Sequence, residues 1–299
     1  MLNKEILFFL VAVTLISSVP WTLMISTGHI RVGGDNSVNL LMWSPALAAF
    51  GVCALLRIPF ASLGWGGRPK KYVWMGYFIP IFYAVPVYLT AWFFVPGAFT
   101  PATFVQSSAK LFEQPNHPYL AAFAMNLPLL LSAQLVQSLP RALGEEIGWR
   151  GFLLPRLVER FGFGAGCFGS GIIWALWHSP VLLGADYNAG TQPAYALGCF
   201  AVLVTAQCYT FGWLRLKSGS VWPCAFLHAM HNIIIQSLLD RMTATTGRAP
   251  YFTTEFGCGL ALISVLVVLY FYSRRGELPQ VAERKQTVLE ARHFGLRNE

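Results

Sequence analysis

Long apolar runs separated by short polar stretches dominate this chain. A run of about 17–25 apolar residues is long enough to cross a bilayer as an α-helix. Eight such runs occur, so the pattern predicts an all-α fold, a polytopic transmembrane bundle of about eight helices. The predicted spans are Ile6–Ser26, Asn39–Leu56, Tyr72–Val95, Tyr119–Leu139, Ala165–Leu183, Ala194–Leu216, Val221–Leu239 and Phe256–Tyr272.

Composition supports a membrane location. Of the 299 residues 55% are hydrophobic and only 11% are charged, whereas soluble domains carry about 25% charged residues. The six cysteines lie in or beside apolar runs, so we interpret them as buried small side chains rather than as disulfides or zinc ligands. The net charge of +8 is explained by cytoplasmic loops of a membrane protein, and no nucleic-acid partner is expected.

The distribution of lysine and arginine predicts the orientation. With a cytoplasmic N-terminus, 17 of the 21 basic residues fall on the cytoplasmic side, among them the whole stretch 141–160; the exceptions are Arg31, Lys110, Arg241 and Arg248. Because basic loops stay in the cytoplasm, we predict an integral protein of the plasma (inner) membrane with both termini cytoplasmic. We expect N-terminal transmembrane helices in residues 1–118, a transmembrane core in 119–273 and a polar cytoplasmic tail in 274–299.

The stretch from Arg141 to Arg160 concentrates charge between apolar segments. Glu145 and Glu146 are adjacent carboxylates, and a lone charge at mid-bilayer costs at least about 2.5–3.5 kcal/mol. On a helix, Glu146 and Arg150 share a face while Glu145 points about 100° away. We therefore predict that Arg150 neutralises Glu146 through a bidentate pair, which leaves Glu145 free to act on water. The alternative is a solvated cytoplasmic helix.

The fifth predicted span contains His178 as its one ionisable group, with Trp174 one turn before it. An imidazole in an apolar bundle needs a polar partner, and a carboxylate is the natural one. A structural histidine is the alternative.

Small residues precede this histidine. We predict that Gly162, Gly166, Gly169 and Ser170 allow close helix packing. A nucleophilic serine in Gly169-Ser170-Gly171 is the less favoured alternative.

The seventh span carries three polar side chains, His228, His231 and Asn232. His228 and Asn232 are four residues apart and share a helix face, while His231 lies off that line. A histidine and an amide side by side can donate hydrogen bonds to an oxyanion. The alternative is a polar clamp between helices.

These polar groups sit on three elements of one bundle, and each needs a polar neighbour. If they meet, Glu145 and His178 can share a water with the carboxylate as general base, while His228 and Asn232 stabilise the tetrahedral intermediate of amide hydrolysis. A straight fourth span would leave Glu145 about 10 Å away from the histidines. We therefore predict a break near Pro140 or a later helix start, and a water-filled central cavity open to the cytoplasmic side or laterally to lipid.

Three motifs in this order resemble those of the CPBP intramembrane proteases, the family of CAAX proteases and bacterial Abi-type relatives. They are Glu145-Glu146 with Arg150, Trp174 with His178, and His228 with Asn232. The resemblance implies an intramembrane endopeptidase in which Glu145 and His178 activate water, His228 and Asn232 form the oxyanion site, and Glu146 and Arg150 support them. Trp174 stands where the family often has phenylalanine.

The resemblance implies a membrane-associated peptide or protein substrate, with or without a lipid, cleaved near the cytoplasmic membrane face. His178, His228 and Glu145 would be the ligands if zinc took part. Since no HExxH motif is present, we favour a glutamate-based mechanism without a cofactor. The rival function is a membrane carrier or an immunity-type binding protein that uses the same buried polar residues, although the inverted repeats typical of transporters are not seen.

Overall fold

The computed structural model describes residues 4–67 and 70–279, and within these ranges the secondary structure is helical without a strand. The predicted all-α fold is confirmed. The α-helices are α1 (Lys4–Thr27), α2 (Asn36–Leu55), α3 (Lys70–Phe94), α4 (Ala102–Leu111), α5 (Leu127–Leu131), α6 (Ala133–Glu146), α7 (Leu154–Gly184), α8 (Pro193–Ser218), α9 (Trp222–Asn232), α10 (Ala249–Phe252) and α11 (Cys258–Ser273).

Shorter helical forms link these elements. Three stretches are π-helical: Leu120–Asn126, Ile147–Leu153 and Ile233–Leu239. Three others are 3₁₀-helical: Phe60–Leu63, Asp240–Met242 and Arg274–Glu277. Of the predicted tail, residues 280–299 lie outside the described part of the chain.

Six helical segments of the described chain are long and apolar enough to cross a membrane, by length and composition. The continuous run Leu120–Gly184 counts once although it contains two predicted spans. The predicted span Val221–Leu239 consists of α9 and the π-helix that follows it. The polytopic bundle predicted from the apolar runs is therefore present.

The helix ends at one face of the bundle are tied together by polar contacts. Arg156 Nε pairs with Glu5 Oε2 at 2.6 Å, the Val221 amide donates to the Gly64 carbonyl, and Lys217 pairs with the backbone of Glu277. We call this the basic face. The basic residues on the elements that end there are Lys4, Arg57, Lys70, Lys71, Arg156, Arg160, Arg215, Lys217, Arg274 and Arg275.

Equivalent contacts define the opposite face. His29 pairs with Asp186 at 2.9 Å and Arg141 with Asp35 at 3.0 Å. Because Arg141 lies at this face and Arg156 at the basic face, the prediction that the whole stretch 141–160 lies on one side is wrong. The stretch crosses between the faces, since the end of α6, a π-helix and the start of α7 run through the bundle.

The glycines of α7 have different roles. Gly162 adopts φ +78° and ψ 170°, so it breaks α7 into two arms. A Cβ atom on Gly166 would lie 2.7 Å from the Val158 backbone, so Gly166 lets the two arms pack closely, as predicted. Gly169 faces open space, so the predicted packing role does not apply to it.

Two further glycines, Gly144 and Gly148, let the segment that carries Glu145 and Glu146 pack closely against α2. Cβ atoms added to Gly144 and Gly148 would come within 2.8 Å of Met42 O and 2.4 Å of Pro45 Cβ, respectively. These contacts involve backbone and a proline ring, neither of which can move aside. The α2 helix therefore fixes the position of Glu145 and Glu146 along the bundle.

We expect Gly148→Ala to lower the free energy of unfolding by about 1–3 kcal/mol, because overpacking forces backbone shifts. The matched control is Gly169→Ala, which adds a methyl group in open space and gains up to about 1 kcal/mol from helix propensity. Denaturation of both purified variants in detergent measures the difference. Equal stability of the two variants would contradict the proposed contact with Pro45.

Candidate active site

A cavity of about 150 Å³ lies among α2, the Glu145 end of α6, α7, α8 and α9. Its wall includes Glu145, His178, His228 and Asn232. The structure thus brings together the four side chains singled out in the sequence, which come from three separate elements. The cavity is central and polar on one wall, as predicted.

Trp174 connects two of these residues. Its indole Nε1 donates a hydrogen bond to Glu145 Oε2 at 2.8 Å, and its backbone carbonyl lies 3.0 Å from His178 Nδ1. A carbonyl only accepts, so His178 carries its proton on Nδ1 when neutral, and Nε2 offers a lone pair. One tryptophan thereby orients both a carboxylate and an imidazole.

Glu146 lies behind this pair and is fully buried. Its Oε1 accepts from Arg150 Nη1 at 2.9 Å and from His228 Nδ1 at 2.8 Å. The predicted ion pair exists, but it is not bidentate: one carboxylate oxygen serves both partners. Among the described residues the other oxygen, Oε2, has no hydrogen-bond partner.

Arg150 is held in a dry environment. Its guanidinium lies 4.0 Å from the Trp174 ring centroid and 3.9 Å from that of Phe211, and Nη2 donates to Cys208 Sγ at 3.3 Å. The side chain is 0% exposed. A guanidinium stacked between two rings retains favourable electrostatic contacts where water is excluded. The predicted alternative of a solvated cytoplasmic helix is therefore wrong.

Local helix geometry places Glu145 at the depth of the histidines. The chain breaks at Ser132, with φ −120° and ψ −76°, and α6 begins at the next residue. Pro140 lies inside α6, so the predicted break near Pro140 is wrong and the predicted later helix start is found. The π-helix Ile147–Leu153 then follows Glu146 directly.

A further polar cluster lies on another part of the cavity wall; we call it the mouth cluster. Its centre is Glu255, which bonds His231 Nε2 at 2.7 Å, Gln236 Nε2 at 3.0 Å and the Tyr187 hydroxyl at 3.2 Å. Burial alone would raise the pKa of Glu255, but its hydrogen bond with His231 and the other two bonds hold the pKa below its usual value. The Tyr83 hydroxyl forms a hydrogen bond with His231 Nδ1.

The mouth cluster contacts the predicted site through Tyr187. Its ring stacks on His178, with a 6.2 Å centroid separation and an interplanar angle of 24°. Sequence reasoning missed Tyr187 and Glu255. A signal existed for Glu255, the one acidic residue immediately before the last apolar run, whereas nothing in the sequence distinguishes Tyr187.

The cavity lies close to the opposite face. His178 is six residues from the end of α7 at Gly184, or about 9 Å along the helix. The lining also includes Ile30 and Arg31 of the connection between α1 and α2. Lys4 and Arg275, near the two ends of the described chain, lie at the basic face, on the other side of the bundle from the cavity. The predictions of cytoplasmic termini and of a site at the cytoplasmic membrane face therefore cannot both hold in this fold.

The structure also bears on two alternatives, a nucleophilic Ser170 and a zinc site. Ser170 is buried and is not among the residues that line the cavity. Within the described ranges, no group of three His, Cys, Asp or Glu side chains is arranged to hold a metal ion. His178, His228 and Glu145 do not form such a group among the described residues, and the mechanism without a metal stays a prediction.

These features define a polytopic membrane protein with a buried site of carboxylate, imidazole and amide groups. A family model described as type II CAAX prenyl endopeptidase Rce1-like matches residues 127–234. The matched segment contains every predicted site residue, and it supports the predicted resemblance to the CPBP family of CAAX proteases. The family is one of proteases. No curated protein matches the chain.

We expect Arg150→Met to destabilise the fold by about 3–5 kcal/mol, because it leaves the buried Glu146 carboxylate without its cation. Arg141→Met is the matched control: its ion pair with Asp35 is partly exposed, so the change is within about 1 kcal/mol. Chemical denaturation in detergent micelles compares the two variants. An Arg150→Met variant as stable as Arg141→Met would show that Glu146 is not held by this charge.

Proposed function

We propose that this protein is an intramembrane endopeptidase that hydrolyses peptide bonds of membrane-associated substrates with Glu145 as general base. The observation that carries the proposal is the convergence of Glu145, His178, His228 and Asn232 on one cavity. The match of the same segment to a family of prenyl endopeptidases supports it.

Water activation is assigned to Glu145 and His178. The Trp174 indole occupies Glu145 Oε2, which leaves Oε1 to accept a proton from a water in the cavity. His178 Nε2, a lone pair fixed by the Trp174 carbonyl, orients the same water by accepting its second proton in a hydrogen bond. Geometry of this kind places a general base within reach of one proton while a second group holds the water.

The hydroxide formed as Glu145 takes the proton attacks the carbonyl carbon of the substrate amide. Negative charge develops on the carbonyl oxygen, where His228 and Asn232 donate hydrogen bonds. The Glu146 carboxylate accepts from His228 Nδ1 at 2.8 Å, so Nε2 is the atom of His228 that donates to the oxyanion. The tetrahedral intermediate then collapses, the carbon–nitrogen bond breaks, and Glu145 returns its proton to the leaving amine.

The substrate is proposed to be a peptide held at the membrane, with or without a covalent lipid. The family description names prenyl endopeptidases, which makes a lipidated peptide the first class to test. A cavity of about 150 Å³ takes a few side chains of an extended segment and is too small for a folded domain.

The carrier alternative would be supported by inverted repeats with paired broken helices. No such repeat is seen in the sequence, and this favours hydrolysis over transport.

We expect Glu145→Gln and His178→Ala to lower kcat/KM by at least about 100-fold, since each removes a group that prepares the water. Asn232→Ala loses about 100–1,000-fold through the oxyanion. The measurement is cleavage of a panel of quenched fluorescent peptides, lipidated and unlipidated, by folded protein. Wild-type rates in folded Glu145→Gln would overturn the assignment of the base.

The same assay with and without phenanthroline tests the glutamate mechanism. We expect activity to survive the chelator. Loss of activity that is restored by added zinc would contradict the metal-free mechanism and would reassign the two histidines as ligands.

We expect Trp174→Phe to lower kcat about 10–150-fold. Phenylalanine keeps a ring beside Arg150 but removes the donor to Glu145 Oε2, and a hydrogen bond to a charged group contributes about 1.5–3 kcal/mol. Trp149→Phe is the matched control, because among the described residues its indole Nε1 has no hydrogen-bond partner, and Trp149 does not line the cavity. An equal kcat loss in both variants would assign Trp174 to packing alone.

A further inference from the structure

We infer that this site takes its substrate from the non-cytoplasmic side of the membrane. The substrate class is then an extended peptide segment exposed at that face, rather than the C-terminus of a cytoplasmic protein. The chemistry rests on the proposed function, whereas the direction of access rests on separate observations.

The first observation is the depth of the catalytic groups. Gly144 packs against Met42, which is six residues from the start of α2 and thirteen from its end. At 1.5 Å per residue, Glu145 lies about 10 Å from the opposite face and about 20 Å from the basic face.

The second observation is where the cavity wall reaches solvent. Arg31 is an exposed residue of the lining in the connection between α1 and α2, and Tyr187 and Glu255 lie in connections at the opposite face. Of the described residues, none from the connections at the basic face lines the cavity. Access therefore exists at the opposite face.

The third observation is the charge of the two faces. Short connections and helix ends at the basic face carry Arg57, Lys71, Arg215, Lys217, Arg274 and Arg275. The described part of the opposite face carries fewer basic residues: Arg31, Lys110, Arg141, Arg241 and Arg248. Since lysine and arginine in short loops are retained in the cytoplasm, the basic face is cytoplasmic and the cavity opens away from it.

Cysteine labelling tests the direction of access without requiring activity. Asn36→Cys lies at the opposite face, Met42→Cys lines the cavity and Ala61→Cys lies at the basic face. With a membrane-impermeant maleimide on intact bacterial cells, and wild type as the background for native cysteines, we expect labelling of the first two. Ala61→Cys should label only after permeabilisation. The reverse pattern would overturn the inference.

Vesicles of defined orientation test access by substrate. An impermeant fluorescent peptide cleaved in detergent should be cleaved at least 10-fold faster by right-side-out than by inverted vesicles, with Glu145→Gln as background. Faster cleavage by inverted vesicles would overturn the inference but leave the proposed function intact. No cleavage in either vesicle or in detergent would overturn the proposed function, while the labelling pattern would still decide the orientation.

Discussion

The arrangement of this fold depends on one buried carboxylate, that of Glu146, which has two hydrogen-bond donors. Glu146 Oε1 accepts from Arg150 on its own segment and from His228 on α9. Neither partner is replaceable by water, because Glu146 and Arg150 are both fully buried. An unpaired charge in such a place is strongly destabilising, so α9 must dock where His228 reaches the carboxylate. The same contact that satisfies the charge brings His228 and Asn232 to the cavity wall that Glu145 also lines.

Trp174 orients Glu145 and His178, the pair proposed to activate water. Its indole fixes Glu145, its carbonyl fixes His178 and its ring covers Arg150. The two halves of the site therefore share one wall, since Arg150 stacks on the residue that orients Glu145. Pre-organisation of this kind lowers the reorganisation needed during the reaction. The proposed catalytic groups are held by their neighbours before a substrate arrives.

The sequence predicted the helical class, most of the spans and the residues that meet in the cavity. Apolar length gives spans, and isolated polar groups such as His178 and His228 in apolar helices require partners, so their convergence is a physical necessity. The path of Arg141–Arg160 was not predictable from local pattern, because Arg141 and Arg156 are both basic and only tertiary contacts place them at different faces. Glu255 and Tyr187 were missed because they lie in connections, where a polar residue needs no partner.

In two of the three motifs a π-helix begins directly after a residue of the site: Ile147 follows Glu146 and Ile233 follows Asn232. A π turn holds one residue more than an α turn, and one residue is worth about 100° of rotation. Each π-helix thus acts as a phase shift between two stretches of helix. The residues before it keep the rotation about the helix axis that directs their side chains to the cavity. The residues after it have the rotation that packing against neighbouring helices requires. Catalytic geometry and helix packing can consequently change independently in this fold.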